Sequence, residues 1–382
     1  MDIEKVSDLD NLYKAFKEAC KESKWKASVQ KYDIDLLLNL VHTKDSLLDG
    51  TYKQRNFYEF TLNERGKVRR IKSLHVSDRV VQRSLCDEML IPRLYKYLTY
   101  DNGASVKNKG ISFARDRLNV HLQKYYRKHG SDGYVLLIDF RKFFDNIQHD
   151  KLLATLTPLF DDSICSLLME LIDSFKIDVS YMTDEEFANC MNLIYDSLSF
   201  PYGNSGEKFM RKSVGIGSQI SQVAGVYYPT RIDNFCKIVK GIKYYGRYMD
   251  DIYIIHHDKE YLKALLTDIK NIANELGLFI NENKTHIVKL THGFTFLKIQ
   301  YKLLPSGHIV KRLSRSSITR ERRRLKKYRK LVDNNRITFE EVFNAYQSWL
   351  GNAKQFDSYN TIQNMNRLFN SLFKEELCLE KK

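Results

Sequence analysis

Apolar side chains recur at helical spacing in several long stretches of the chain. The spacing predicts helices over residues 8–47, 78–98, 111–129 and 259–276, and residues 150–212 also have a mainly helical pattern. In the first stretch the apolar positions at this spacing are Leu12, Phe16, Ala19, Ile34, Leu37, Leu38 and Val41. The N-terminal part of the chain is therefore expected to be helical.

Shorter apolar runs predict strands, and two of them end at acidic residues. Residues 134–138 form a continuous apolar run before Asp139, which predicts a buried central strand with one carboxylate at its end. Aromatic and β-branched residues lie on both sides of Asp250 and Asp251, so these two acids are expected at the tip of a β-hairpin. Residues 57–71, with a turn at Gly66, predict a second, basic hairpin, and 278–280 a further strand.

The composition points to an anionic partner. Lys and Arg number 62 against 47 Asp and Glu, for a formal net charge of +15. Nucleic acid is the first expectation, and an anionic membrane surface is the alternative. No apolar run is long enough to span a bilayer and the N-terminus lacks the layout of a signal peptide, so we expect a cytoplasmic protein without a membrane partner. The six cysteines have no C-x-x-C spacing, which favours reduced core thiols over a zinc site or disulfides.

The densest positive charge lies between residues 311 and 330. Eleven basic residues and one acid, Glu321, give this stretch a local net charge of 11 − 1 = +10. A solvated helix face is the simple alternative, but this density on one helix favours contact with a phosphate backbone. The candidates for nucleic-acid contact are Arg320, Arg322, Arg323, Lys326 and Lys327.

Three carboxylates carry the candidate chemistry. Nucleotidyl transfer uses two metal ions about 4 Å apart, one activating the attacking hydroxyl and one neutralising the leaving pyrophosphate. Asp139, Asp250 and Asp251 can form such a clamp if their strands are neighbours in one sheet. Simpler interpretations stay open, because Asp139 can be a helix N-cap and two acids in a turn are often only solvated.

The order of the motifs resembles that of reverse transcriptases. Residues 139–145 (DFRKFFD) and 248–251 (YMDD) resemble the palm motifs of that family. Segments 66–71 and 78–82 are similar to the fingers of group II intron-type enzymes. Downstream, residues 276–285, 294–297 and 346–351 are similar to a palm lysine segment, the primer grip and the thumb, although Lys298 stands where relatives commonly carry glycine. The resemblance spans residues 10 to 355 in the right order.

This resemblance implies an α+β right-hand polymerase fold. Residues 1–130 would form N-terminal helices and fingers, 131–305 a palm with an antiparallel sheet and a helical insertion near 150–212, and 306–382 a basic helical thumb and C-terminal tail. It also implies an RNA-directed DNA polymerase that uses an RNA template, a DNA or RNA primer and deoxynucleoside triphosphates. Asp139, Asp250 and Asp251 would bind two Mg²⁺ ions, with Mn²⁺ as the alternative metal.

The resemblance further implies roles for single residues. Phe144 would exclude the 2′-hydroxyl of a ribonucleotide, or it could be a core residue. Lys284 would donate a proton to pyrophosphate, or it could only pair with an acid. The other candidates for nucleotide contact are Arg70, Lys72, Arg79, Phe140, Ile216, Gly217 and Gln219, and Tyr346 and Trp349 are candidates for nucleic-acid contact in the thumb.

Residues 216–222 point to a branch of the family. Many reverse transcriptases carry Gln-Gly and then Ser-Pro here, whereas this chain has Ile216-Gly217 and Ser221-Gln222, similar to the error-prone enzymes of diversity-generating retroelements. Bacterial antiphage-defence enzymes share Ser-Gln and represent the alternative, with protein-primed or template-independent synthesis. A non-catalytic RNA-binding scaffold is less favoured, because the three carboxylates are all present. A basic accessory protein or a structured non-coding RNA is an expected further partner.

Overall fold

The computed structural model describes residues 2–64, 67–195 and 206–379, which form an α+β structure. The helices are α1 (Asp2–Ser7), α2 (Leu9–Cys20), α3 (Ala27–Ile34), α4 (Leu36–Leu48), α5 (Val76–Leu85), α6 (Ile91–Leu94), α7 (Ile111–His129), α8 (Phe143–Asn146), α9 (His149–Leu156), α10 (Asp162–Asp173), α11 (Asp184–Asn189), α12 (Gln219–Tyr227), α13 (Thr230–Asn234), α14 (Lys259–Glu275), α15 (Arg315–Asp333), α16 (Phe339–Ala353), α17 (Tyr359–Leu372) and α18 (Lys374–Leu379). The strands are β1 (Tyr58–Glu64), β2 (Lys67–Ser73), β3 (Tyr134–Ile138), β4 (Ile177–Asp178), β5 (Phe209–Met210), β6 (Tyr245–Tyr248), β7 (Asp251–His256), β8 (His286–Lys289), β9 (Phe294–Phe296), β10 (Ile299–Leu303) and β11 (Ile309–Leu313).

The strands form small sheets. Their orders are β1-β2, β4-β5, β6-β7-β3-β8 and β11-β10-β9. In the four-stranded sheet β3 and β8 are antiparallel, with Tyr134 opposite Lys289 and Leu137 opposite His286. Two residues connect β6 to β7, so the predicted hairpin with acids at its tip is present. The antiparallel sheet that the sequence predicted is therefore confirmed.

The first of two compact units comprises residues 1–110, 138–252 and 263–285. Its N-terminal helix α2 begins after Asp8, whose side chain accepts hydrogen bonds from two main-chain N–H groups of the first turn. Leu12 and Phe16 are buried on one face of this helix, at the spacing that predicted it.

The apolar residues at helical spacing near 34–41 belong to two helices. The helix ends at Ile34 and a new one begins at Leu36, because Asp35 departs from helical geometry. Ile34 is 81% exposed, and Leu37 and Leu38 are exposed as well. The spacing of apolar residues across two helices does not define one face, because the break between the helices changes the direction in which the side chains of the second helix point.

The second unit comprises residues 111–137, 253–262 and 286–382. In its C-terminal part, α15, α16 and α17 enclose an apolar cluster. The buried members of this cluster are Leu325, Val342, Tyr346, Leu350, Met365, Phe369 and Phe373. Ser314 caps α15 and Thr338 caps α16 through side-chain oxygens, so the helix boundaries follow from local capping.

The turn between β9 and β10 places Lys298 in a backbone conformation that is uncommon for a residue with a Cβ. Leu297 and Lys298 have φ values of 45° and 69°, both in the left-handed region. Two such residues in a two-residue hairpin are typical of a type I′ turn, in which glycine is favoured because it has no Cβ. Lys298 therefore adopts the backbone conformation for which relatives use glycine.

Other predicted elements differ in detail. Residues 78–98 lie in α5, a π-helical turn, α6 and a 3₁₀ turn instead of one helix. Residues 278–280 form no strand, and only Ile280 makes a single bridge to Phe140. The described part of the segment 150–212 contains α9 to α11 and short 3₁₀ turns together with the strands β4 and β5. The predicted turn at Gly66 and residues 196–205 lie outside the described residues.

The sequence pattern predicted no membrane-spanning helix and no cysteine pairing, and the described residues bear on both predictions. In the ranges given above, no helix is both long and apolar enough to cross a membrane. Five cysteines with described side chains are free thiols, and four of these are buried, as expected for reduced core residues.

Candidate active site

Asp139 follows the buried strand β3 and is held by the segment 281–285. The main-chain N–H of Asn281 donates to the Asp139 carbonyl oxygen at 2.8 Å, and Asn281 Nδ2 donates to Asp139 Oδ1 at 2.9 Å. Lys284 Nζ donates to both carboxylate oxygens, at 2.8 Å each. The structure thus brings two predicted catalytic residues, Asp139 and Lys284, into one ion pair.

Asp250 and Asp251 are presented by a tight hairpin. Met249 lies between β6 and Asp250, and its φ of 57° is in the left-handed region. For a residue with a Cβ such a conformation costs about 1–3 kcal/mol and persists only where the surroundings hold it. Both aspartates are partly exposed. The turn therefore presents two accessible carboxylates on a backbone that its neighbours must fix.

The sheet order makes the two acid-bearing elements neighbours. β7 lies next to β3, and the strand ends at Ile138 and Asp251 belong to the same compact unit. Carboxylate oxygens are the ligands that Mg²⁺ and Mn²⁺ prefer, so this donor set fits the divalent metal that the resemblance implies. Across the described ranges, no three His, Cys, Asp or Glu side chains form a ready-made metal site. Because Lys284 occupies both oxygens of Asp139, metal binding requires a rearrangement there, and the metal assignment stays a prediction.

The aromatic residues after Asp139 differ in burial. Phe143 and Phe144 lie in the short helix α8, and Phe140 precedes it. Phe143 is buried, whereas Phe144 is half-buried and packs against Gly225 of α12. Phe140 is also buried, with its ring centroid 5.8 Å from that of Phe143. The Phe140 side chain therefore has almost no accessible surface in this conformation and its nucleotide contact stays a prediction, while Phe144 keeps an accessible surface.

Lys72 lies against the loop before α12. Its main-chain N–H donates to the Ile216 carbonyl at 3.3 Å, and a Cβ added at Gly217 would lie 3.2 Å from the Lys72 carbonyl oxygen. Lys72 Nζ lies 3.3 Å from the Phe175 carbonyl and 3.8 Å from a Glu59 carboxylate oxygen. Burial lowers the pKa of Lys72, against the opposing effect of Glu59. Its ammonium group is thus enclosed by protein in this conformation.

Arg70 shares a face of the β1–β2 hairpin with Lys72. Residues two apart on a strand point to the same side, and Arg70 lies opposite Thr61. Its side chain is exposed, unlike that of Lys72. Of these two predicted triphosphate contacts, Arg70 is the more accessible.

Three further predicted residues line one cavity. Arg79, Gly217 and Gln219 border a cavity of about 330 Å³ that lies within the first unit. Gln219 Nε2 donates to Asp87 at 3.2 Å, and Arg79 donates to the carbonyl of Ala19. Arg83 and Gln222, which were not predicted as nucleotide contacts, also line this cavity. Each follows a predicted residue by one helical turn, and that spacing was a usable signal.

The basic helix α15 has two distinct faces. Glu321 and Leu325 are buried, whereas the five predicted contact residues are exposed: Arg320, Arg322, Arg323, Lys326 and Lys327. Burial raises the pKa of Glu321 in spite of its pairing with Arg324 at 2.7 Å. The five predicted contact residues thus place positive charge on the exposed side of α15, while its one acid is buried. This arrangement suits contact with phosphates.

The side chain of Tyr346, a predicted nucleic-acid contact, is buried in the C-terminal helical cluster. Its side chain is 2% exposed, and its ring stacks on Phe369 with centroids 4.2 Å apart. The hydroxyl donates to Asn366 Oδ1 at 2.7 Å, so its hydrogen-bonding capacity is used inside the bundle. Trp349 is partly exposed but packs against the same cluster. Val342, Tyr346 and Leu350 recur every four residues, which is the signature of a core stripe.

A buried ion pair that was not predicted lies beside the tandem acids. Arg247 and Asp233 have side chains that are 0% exposed and lie 2.7 Å apart. Arg247 is two residues from Met249, whose carbonyl it contacts at 3.0 Å. An arginine between Tyr245 and Tyr248 in strand β6 was the available signal, because charged residues are almost never buried without a partner.

The fold is shared with telomerases. A telomerase from Candida albicans in complex with a TWJ fragment of telomeric RNA matches with a TM-score of 0.50 at 14% identity, over 85% of this chain and 56% of that chain. An apo telomerase from Candida tropicalis matches with a TM-score of 0.47 at 15% identity, over 67% of this chain and 47% of that chain. The chain thus spans about half the length of these telomerase chains. The first likeness shows the fold alone and confirms the predicted right-hand polymerase fold.

The family is shown by a direct match. No curated protein matches the chain in sequence. A family model described as "Reverse transcriptase (RNA-dependent DNA polymerase)" matches residues 53–301, which is more than half of the 382 residues. The matched span contains Asp139, Asp250, Asp251 and Lys284. The chain therefore belongs to the reverse transcriptase family, the RNA-dependent DNA polymerases.

Proposed function

We propose that the chain is an RNA-directed DNA polymerase that extends a DNA or RNA primer by two-metal-ion nucleotidyl transfer. The observation that carries the proposal is the pairing of Asp139 with Lys284 in the same compact unit as the Asp250–Asp251 turn. These three aspartates would hold two Mg²⁺ ions, with Mn²⁺ as the alternative. Bound there, the metals would supply activation of the primer 3′-hydroxyl and neutralisation of pyrophosphate.

The chain's own residues would bind and orient the reactants. Lys284 is half-exposed and lies beside the carboxylates, so it can turn from Asp139 to the triphosphate and donate a proton there. Phe144 would limit the space beneath the sugar, because Gly225 allows its ring to sit close to α12. Arg70 and the cavity beside Arg79 and Gln219 would contact the nucleotide through charged and amide groups.

The nucleic acid would be held mainly through phosphates. The exposed face of α15 is continuous and positive, which suits a template–primer duplex of any sequence. RNA as template, a DNA or RNA primer and deoxynucleoside triphosphates are therefore the proposed substrates. These assignments are drawn from the exposed charge on this chain and from its family membership.

Primer extension tests the proposal. The purified chain is incubated with a labelled DNA primer and deoxynucleotides on an RNA template, on a DNA template and without template. We expect RNA-dependent extension that Asp139→Asn abolishes. The matched control is Asp150→Asn, the same chemical change at an exposed residue, which should extend normally. Extension without template would instead indicate template-independent synthesis, and no extension by the wild type would favour a non-catalytic RNA-binding scaffold.

We infer further that synthesis is error-prone, as in diversity-generating retroelements or a related bacterial system such as antiphage defence. The support is Ile216, which stands where many relatives have glutamine. Its main-chain carbonyl is bound by Lys72, and its aliphatic side chain has no hydrogen bond to offer a sugar. A basic accessory protein or a structured RNA would be the further partner. Sequencing of cDNA copied from a defined RNA tests the inference, and an accurate wild type would refute it.

A further inference from the structure

Arg247 and Asp233 form a fully buried, hydrogen-bonded pair. Arg247 Nε donates to Asp233 Oδ1 at 2.8 Å and Nη2 donates to Asp233 Oδ2 at 2.7 Å. The Tyr245 hydroxyl also donates to Asp233 Oδ1. Burial opposes the charge of Arg247, yet Asp233 more than compensates and raises the pKa of the guanidinium. Burial, reinforced by Asp233, raises the pKa of Tyr245, so its hydroxyl remains a donor.

The same guanidinium reaches the turn that carries the tandem acids. Arg247 Nη1 donates to the carbonyl oxygen of Met249 at 3.0 Å. Met249 is the residue with the left-handed φ of 57°, directly before Asp250. A strained turn at this position requires an external hold, and the contact from Arg247 supplies one.

A third contact links the turn to α12. Arg247 Nη2 donates to the carbonyl oxygen of Val226 at 2.7 Å. Val226 follows Gly225, which is the residue against which Phe144 packs. One planar guanidinium therefore connects the acid-bearing turn to the helix that supports Phe144. Its fork geometry allows these contacts at once, which the single ammonium of lysine cannot reproduce.

We propose that Arg247 is a positioning residue that holds the Asp250–Asp251 turn in the arrangement that binds divalent metal. The proposal rests on the proposed function, because it assumes that these carboxylates are metal ligands. Residues that orient metal ligands typically change metal affinity by about 10–100-fold when they are replaced. A buried ion pair that served folding alone would not change metal affinity in a variant that still folds. Such a variant is feasible, because apolar residues of similar volume often replace a buried ion pair without loss of stability.

Three variants separate positioning from folding. Arg247→Lys keeps a positive charge near Asp233 but loses the forked contacts to Val226 and Met249. Tyr245→Phe is the matched control, because it removes one bond to Asp233 and leaves the bonds from Arg247 to Met249 and Val226 in place. The triple variant Arg247→Met/Asp233→Leu/Tyr245→Phe replaces the whole network by apolar side chains and is expected to fold.

The experiment measures Mn²⁺ binding by electron paramagnetic resonance, with thermal unfolding of each variant in parallel. Wild type should bind Mn²⁺, and Asp250→Asn should abolish that binding. We expect Arg247→Lys and the triple variant to weaken Mn²⁺ binding by about 10–100-fold. Tyr245→Phe should change Mn²⁺ affinity by less than about twofold, because Asp233 stays paired with Arg247.

Each other outcome overturns the proposal in a distinguishable way. Wild-type Mn²⁺ affinity in folded Arg247→Lys or in the folded triple variant would refute positioning and leave the proposed function intact. Unfolding of both would make the network a requirement of folding only. Equal weakening by Tyr245→Phe would assign the effect to Asp233 and not to the contact with the turn. Absence of Mn²⁺ binding by wild type would refute the proposed metal site and the positioning role with it.

Discussion

Replacing Gly225 with alanine tests whether a packed ring sets the geometry of the nucleotide site. A Cβ added at this position of α12 would lie 2.7 Å from Phe144 Cε1 and 3.2 Å from Phe144 Cζ. Its distance to Phe143 Cε1 would be 3.4 Å, which is close to ordinary contact. Carbon atoms pack at about 3.5–4.0 Å, so the Phe144 ring has to move by roughly 1 Å.

Two opposing free energies determine the stability of this variant. Alanine favours a helix over glycine by about 0.5–1 kcal/mol, whereas overpacking costs about 1–3 kcal/mol. The net effect is a destabilisation of about 0–2.5 kcal/mol. A shift of about 1 Å near reacting groups can lower a rate by about 100-fold. We therefore expect kcat/KM for deoxynucleotides to fall by up to that factor in a protein that remains folded.

The assay pairs primer-extension kinetics with urea unfolding of the same variants. Gly351→Ala in α16 is the matched control, because no heavy atom lies within 4 Å of its added Cβ. The free energy of unfolding of this control should rise by about 0.5–1 kcal/mol, and its kcat/KM should not change. In a Phe144→Ala background, Gly225→Ala should lose most of its kinetic effect because the ring is gone. An equal kinetic effect with and without the ring would refute the reasoning, as would a stability gain with unchanged kcat/KM.

Three further predictions concern single features of the site. Phe144→Ala should lower the ratio of kcat/KM for deoxy- over ribonucleotides, because space opens beneath the sugar, and an unchanged ratio would make Phe144 a core residue. Reversing Arg322, Arg323 and Lys326 to Glu should weaken duplex binding for all sequences alike and flatten the slope of log K against log salt, whereas an unchanged slope would exclude this face of α15 from binding. Ile216→Gln should make synthesis more accurate by holding the sugar, and an unchanged cDNA error spectrum in the folded variant would count against that role.

Local patterns predicted those parts of the site whose causes are local. An apolar run ending in one acid predicted β3 and Asp139, and a turn between β-forming segments predicted the hairpin of Asp250 and Asp251. Each of these two elements is determined by a segment of about ten residues, so the apolar pattern and the turn residues were enough to predict it. The candidate role of Lys284 came from the family resemblance, but its pairing with Asp139 in particular was not predicted, since nothing in its own segment points to β3.

Two of the misses have non-local causes and one has a local cause. Tyr346 looked like a thumb contact but faces a core that α15, α16 and α17 form together. Arg247 was missed because its partner Asp233 lies 14 residues away on another element. Ile34 was placed in a continuous apolar pattern, but the break at Asp35 ended the helix. In each case the outcome depended on tertiary packing or on a local break that periodicity does not detect.

The ion pair of Asp139 and Lys284 also has a consequence for protein synthesis. The two residues are separated by 145 positions in the chain. Ribosomes add about 5–20 residues per second, so roughly 7–30 s pass between the synthesis of Asp139 and that of its counter-charge. During this interval the nascent chain carries an aspartate without Lys284 and without the Asn281 contacts that hold it. The rate of translation, and not the intrinsic speed of folding, therefore sets the earliest moment at which this half of the site can assemble.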